Sequence, residues 1–169
     1  MSSMDFNSFV KTQNAKVGPD AEEKRAQRLV EWRSDIEGLY SQVRQTLRTF
    51  IERNEIAVAE GDQSYFDENY GEYAGPTLTL TIGPHRIAFR PAGAAVIAAR
   101  ARVDIEGPAG DARLVFVPKE RTQVIGGSIP EAERSGEWRW KFASQPPKVR
   151  LTDLNDASLK EILISVSNG

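Results

Sequence analysis

The amino-acid sequence predicts an α+β fold: a long N-terminal helix, an antiparallel meander sheet of about 5–6 strands and a short C-terminal helix. Three observations carry this expectation. Apolar residues recur every seven positions at Leu29, Ile36, Val43 and Phe50. The segment Thr77-Leu78-Thr79-Leu80-Thr81-Ile82 alternates strictly, which marks a strand with one buried face. Two glycine-bearing segments, Gly83 to Arg86 and Gly107 to Gly110, each stand between two strand-like runs, as hairpin turns do. At 169 residues the chain fits one domain with an ordinary core. Its 40% hydrophobic and 27% charged content is that of a globular chain, not of a disordered or membrane-spanning one.

Residues 1–19 read as a flexible N-terminal arm, or a short helix around Phe6, Phe9 and Val10, ahead of a single domain over 20–169. Gly18-Pro19-Asp20 is a break followed by a helix start, with Asp20 placed to accept free backbone N–H groups and Glu22 and Glu23 in the first turn. The helix is expected over 20–54. Its stripe is flanked by Trp32, Leu39, Tyr40 and Leu47. Such a stripe packs on a sheet or pairs with a second copy in a homodimer. Gly38 in its middle is a candidate bend.

Residues 55–76 carry no clear alternation and read as an acidic aromatic loop, with the sheet over 77–145. Pairing Ile82 with Ile87 places Leu80 opposite Phe89 and leaves the threonines with Arg86, Ala88 and Arg90 on the other face. In the second hairpin, Val96 to Glu106 against Asp111 to Val117, pairing Ile105 with Leu114 sets Val103 opposite Phe116 and Glu106 opposite Arg113. A loop from Lys119 to Gly136 leads to the alternating strand Glu137 to Phe142, closed by Pro146-Pro147. Trp138, Trp140 and Phe142 then share a core-facing side, opposite Arg139 and Lys141. Asn155 or Asp156 caps a helix over 155–167 whose Leu159, Ile162, Leu163 and Val166 share a face.

Several chemistries lack their residues. There is no cysteine, and the single histidine, His85, falls in a predicted turn, so nucleophilic, soft-metal and neutral-pH acid–base chemistry have little to draw on. No H-x-x-x-H, EF-hand, G-x-G-x-x-G or G-x-S-x-G pattern occurs, and Gly126-Gly127-Ser128 lacks the lysine of a phosphate-binding loop. The reading leans against an enzyme and assigns no catalytic residue, no metal ligand and no cofactor. A metal-dependent hydrolase using Asp62, Asp67 and Glu68 is the least favoured alternative.

Charge is sorted by segment beneath a net charge of -2. Residues 55–73 hold six acids and no base, whereas residues 84–103 hold four arginines and no acid. The acidic run carries Tyr65, Phe66, Asp67, Glu68, Tyr70 and Tyr73 as candidates for protein binding, since aromatics anchor interfaces and acids steer basic partners. The outward sheet face collects Arg86, Arg90, Arg100, Arg102, Arg113, Arg139 and Lys141 as candidates for an anionic partner, because guanidinium forks suit carboxylate and phosphate alike.

The expected function is a non-enzymatic protein–protein interaction module, accessory, antitoxin-like or immunity-like in kind, that meets a basic protein partner through the acidic aromatic loop and the basic sheet face. A nucleic-acid-binding module using the arginine face is the first alternative. The opening residues show no basic region followed by an apolar run, and no stretch is long and apolar enough for a membrane span, so the expected setting is cytoplasmic and away from membranes.

Overall fold

In the computed structural model, which describes residues 5–96, 98–123 and 136–168, the heptad stripe becomes the buried face of a helix. Helix α1 (Phe6–Ala15) is followed by α2 (Pro19–Thr46) and the single-turn α3 (Arg48–Glu52). Proline at the first helical position of α2, with Asp20 and Glu22 in its first turn, starts the helix one residue earlier than Asp20 suggested. Trp32, Ile36, Leu39, Tyr40 and Val43 are buried along one side. The bend falls not at Gly38 but at Leu47, whose backbone (φ -98°, ψ 7°) leaves the helical region between α2 and α3. Leu47 is buried, so the turn is placed where the chain must follow the core.

The sheet has seven strands where about 5–6 were expected. They are β1 (Ala57–Asp67), β2 (Gly71–Ile82), β3 (His85–Pro91), β4 (Ala101–Glu106), β5 (Asp111–Pro118), β6 (Trp138–Ala143) and β7 (Leu151–Asp153). All neighbours are antiparallel and the spatial order is the sequence order. The additional strands are β1 and β7. The segment read as an acidic loop is a long hairpin, and the predicted boundary of the sheet at Thr77 falls inside β2. Most of the Lys119–Gly136 segment, with Gly126-Gly127-Ser128, lies outside the described residues.

Both predicted hairpins form, each with its register shifted by two residues. Leu80 pairs with Ile87 and Leu78 with Phe89, so Ile82 meets His85 across the two-residue turn Gly83-Pro84. His85 is therefore the first residue of a strand, not a turn residue. Gly83 has φ +57°, a conformation that tight hairpin turns need and glycine supplies. In the second hairpin Val103 pairs with Leu114 and Asp104 with Arg113, and the turn closes on a bond from Gly107 N–H to Gly110 O (3.0 Å). A two-residue shift preserves sidedness, so the inward residues are those expected.

The final helix, α4 (Asp156–Asn168), is entered through a reciprocal cap. Ser158 N–H donates to Asn155 Oδ1 and Asn155 N–H donates to Ser158 Oγ, both at 2.9 Å. Helices α2 and α4 lie on the same face of the sheet, α2 over β2 and β4, α4 over β3 and β5. Between them and the sheet one continuous core holds Ile36, Tyr40, Leu80, Phe89, Ile105, Leu114, Trp140 and Leu159. The stripe of α2 is thus spent on its own sheet. No described helix is long and apolar enough to cross a membrane.

Candidate functional site

The β1–β2 hairpin reverses its facing along its length. Near the core, Val58 pairs with Leu80, and even-numbered residues of β2 are buried. Farther out, the odd-numbered pair Tyr65 and Tyr73 turns inward. Their rings stack at 5.3 Å and each meets Trp32 edge-on, at 5.7 Å and 5.4 Å. Two-stranded ribbons twist more than wide sheets, and here the twist brings the opposite face onto α2. Glycine at position 75 permits the contact: a Cβ there would stand 2.5 Å from the Trp32 ring.

The phenol hydroxyls fix the hairpin to the rest of the fold. Tyr65 donates to the Pro91 carbonyl. Tyr73 accepts from Ala94 N–H (2.8 Å) and donates to Asp67 Oδ2 (2.9 Å). Burial, reinforced by the charge of the neighbouring Tyr73, pushes the Tyr65 hydroxyl up to about 12. Tyr73 is raised as well, chiefly by burial. Asp67 Oδ1 accepts from the N–H groups of Asn69 (2.9 Å) and Tyr70 (2.6 Å), which shapes the hairpin turn. The acids nearer the core are held by α2: Asp62 by Arg33 (3.0 Å) and Glu60 by Arg44 (2.9 Å).

Of the six residues expected to bind protein, Tyr65, Tyr73 and Asp67 are therefore anchors of the hairpin, and Tyr70 packs on Tyr73 at 6.0 Å. Phe66 and Glu68 face outward. Phe66 is 74% exposed and pairs across the hairpin with exposed Glu72. Glu68 and Glu72 have no ionic partner among the described residues. β1 is also an edge: among the described strands it pairs only with β2, so one side of an eleven-residue strand presents unpaired backbone groups.

The arginine candidates do not form one free basic face. Arg90 pairs with Glu106 (3.4 Å), Arg102 with Asp104 (3.0 Å), Arg113 with Asp104 (3.5 Å) and Arg139 with Glu137 (3.0 Å). Glu137 is correspondingly held below the usual carboxylate range, first by its hydrogen bond to Arg139. Lys141, 4% exposed, is covered: its Nζ donates to the carbonyls of Lys119 (2.7 Å) and Arg121 (2.6 Å) and lies 3.3 Å from Asp153. Arg86 alone among these cations has no acidic partner among the described residues.

Arg100 corrects the sequence reading most clearly. It precedes β4 and reaches to the helix side, where Asp35 and Glu31 of α2 receive it, and its guanidinium lies 5.0 Å from the Phe116 ring centroid and 4.9 Å from that of Trp138. Alternation could not show this, because the residue stands outside the regular strand. Among the described residues no three His, Asp or Glu side chains converge as metal ligands would; Asp62 faces Arg33 while Asp67 shapes a turn. The chain matches no protein-family model, no curated protein and no solved structure.

Proposed function

We propose that the protein is a non-enzymatic protein-binding module whose contact is the outer half of the β1–β2 hairpin. The observation that carries this reading is the coincidence, at the outer end of one hairpin, of the unpaired edge of β1 with exposed Phe66 on that strand and two uncompensated acids beside it, Glu68 in the turn and Glu72 on β2. A free edge accepts an extended segment by strand addition, in which main-chain hydrogen bonds give affinity and side chains give selectivity. Phe66 supplies an apolar anchor, and Glu68 and Glu72 favour a basic segment over an acidic one. Pairing with the β1 of a second copy is disfavoured by the same charges, since the hairpin carries acids and no base from Glu60 to Glu72. The basic sheet face contributes less, because Arg90, Arg102, Arg113 and Arg139 are already paired with neighbouring acids and Arg100 is held by α2, which leaves Arg86 alone.

The test is photo-cross-linking of the full chain in its own cells, with a photoreactive residue at Phe66 and, as control, at exposed Val30 of α2. An adduct with one defined protein at position 66, absent at position 30 and lost in the Glu68→Lys/Glu72→Lys variant, is the expected result. Equal adducts at both positions, or an adduct indifferent to the charge reversal, overturns the proposal.

A further inference from the structure

The far end of α2 carries a second surface, unrelated to the hairpin. A 28-residue helix spans about 42 Å at the usual rise; Trp32 stands at its middle, and the hairpin tip at Glu68 to Gly71 lies beside Ala21 and Arg25 near its N-terminal end. Beyond the other end, α3, the β2–β3 turn and α4 enclose an open groove of about 490 Å³. Its floor and walls are apolar, with Phe50, Ile56, Ile82 and Ile164 among the lining residues. Ile164 is 66% exposed, one of few large apolar side chains left so in the described chain.

The polar groups at this groove are Glu55, His85, Lys160, Ser167 and Asn168. Glu55 is drawn to Arg53, 3.8 Å away. The side chains of His85 and Lys160 have no hydrogen-bond or ionic partner among the described residues. Lys160 nonetheless has a defined place, its ammonium 5.8 Å from the centroid of the Phe50 ring, where the ring face attracts a cation. An ammonium without a counter-ion and an imidazole without a partner thus stand beside an apolar trough whose volume lies within the range of small-molecule sites.

We infer that this groove binds a small amphipathic carboxylate, its apolar body against Phe50, Ile82 and Ile164 and its carboxylate between Lys160 and His85. The charge pattern selects the class. An uncharged hydrophobe leaves Lys160 uncompensated, and an amine meets it as a like charge. A carboxylate accepts from the ammonium and from an imidazole N–H while its tail removes exposed apolar surface from water.

The experiment titrates the full chain with decanoate, below its micelle-forming concentration, and with decanol, following the backbone and methyl resonances by NMR. Saturable one-to-one binding of decanoate, with shifts centred on Phe50, Ile82, His85, Lys160 and Ile164, is expected. Lys160→Met keeps the side-chain stem and should weaken decanoate about tenfold, the loss of one charge-assisted contact, with decanol unchanged. Ile164→Asp, at an exposed position that folding does not depend on, should weaken both ligands. The inference fails if decanoate does not saturate, if its shifts lie elsewhere, or if decanol binds as well as decanoate. It also fails if groove resonances move with protein concentration alone, which would assign the groove to a second copy. None of these outcomes bears on cross-linking at Phe66, so the two proposals stand or fall separately.

Discussion

Arg100 grips Asp35 with both arms of its fork, Nε donating to Oδ2 at 2.8 Å and Nη2 to Oδ1 at 2.7 Å. The pair joins the segment before β4 to the middle of α2, and neighbouring bonds support the same junction. Trp140 Nε1 donates to the Asp35 carbonyl (3.2 Å), and Arg28 Nη2 donates to the Arg100 carbonyl (2.7 Å). The Asp35 side chain is 9% exposed, whereas Glu31, the second carboxylate near Arg100, is 46% exposed.

This difference in exposure predicts a difference in stability. Asp35→Ala leaves a half-buried guanidinium with only the solvated Glu31 to face, and should cost about 2–3 kcal/mol. Glu31→Ala removes an exposed ion pair and should cost less than about 1 kcal/mol. Urea unfolding of the two variants beside the parent protein measures both. Equal losses would mean that Arg100 is held by its aromatic neighbours and not by Asp35.

How far the fold can be read from the sequence is clearest at Tyr65 and Leu80. Leu80 was legible because its strand alternates under a wide sheet, where sidedness persists from residue to residue. Tyr65 was not, because its strand sits in a ribbon whose twist exchanges the inward and outward faces along its length. The heptad stripe of α2 shows the first situation again: Ile36 and Val43 are buried as the spacing requires. Both hairpins show what alternation leaves open. It distinguishes odd from even, so Phe89 points inward either way, but the choice of Leu78 over Leu80 as its partner is made by the length of the turn. Arg100 was misplaced for a related reason, since strand parity says nothing of a residue in the loop that precedes the strand. At the candidate site, Phe66 and Glu68 were visible as residues, whereas nothing in the sequence singled out Lys160 at the groove. The free edge of β1 and the groove beneath α3 and α4 depend on which elements meet, and no local pattern records that.

Two glycines separate close approach from mere presence. Gly75 lies where a Cβ would come within 2.5 Å of Trp32 and 3.0 Å of Tyr65, and Trp32 is 1% exposed, so the ring has little room to yield. Gly75→Ala should destabilise by about 1–3 kcal/mol. Gly38 is exposed within α2 with nothing within 4 Å of its would-be Cβ. Gly38→Ala should stabilise by about 0.5–1 kcal/mol through the lower entropy of the unfolded chain and better helix propensity. Thermal unfolding of the two variants should move in opposite directions. A neutral Gly75→Ala would show that the hairpin does not rest on Trp32.

The tyrosines make the fold sensitive to alkali. Tyr65 is uncharged when protonated, and burial raises its folded pKa to about 12, above the value of about 10 for an exposed tyrosine. Between those two values the unfolded chain releases a proton that the folded chain keeps, so the stabilisation is complete below about pH 10 and declines as pH rises toward 12. Burial likewise raises Tyr40, whose hydroxyl donates to the Pro76 carbonyl at 2.8 Å and lies 3.2 Å from that of Phe89. Tyr73 shifts in the same direction, so three sites act together. The denaturation midpoint should therefore fall between pH 9 and pH 11 in the parent protein. It should fall less in the Tyr65→Phe/Tyr73→Phe variant, which retains the ring packing against Trp32 and has no phenol there to ionise. An identical fall in both proteins would place the alkaline sensitivity elsewhere and remove the hairpin anchors from its cause.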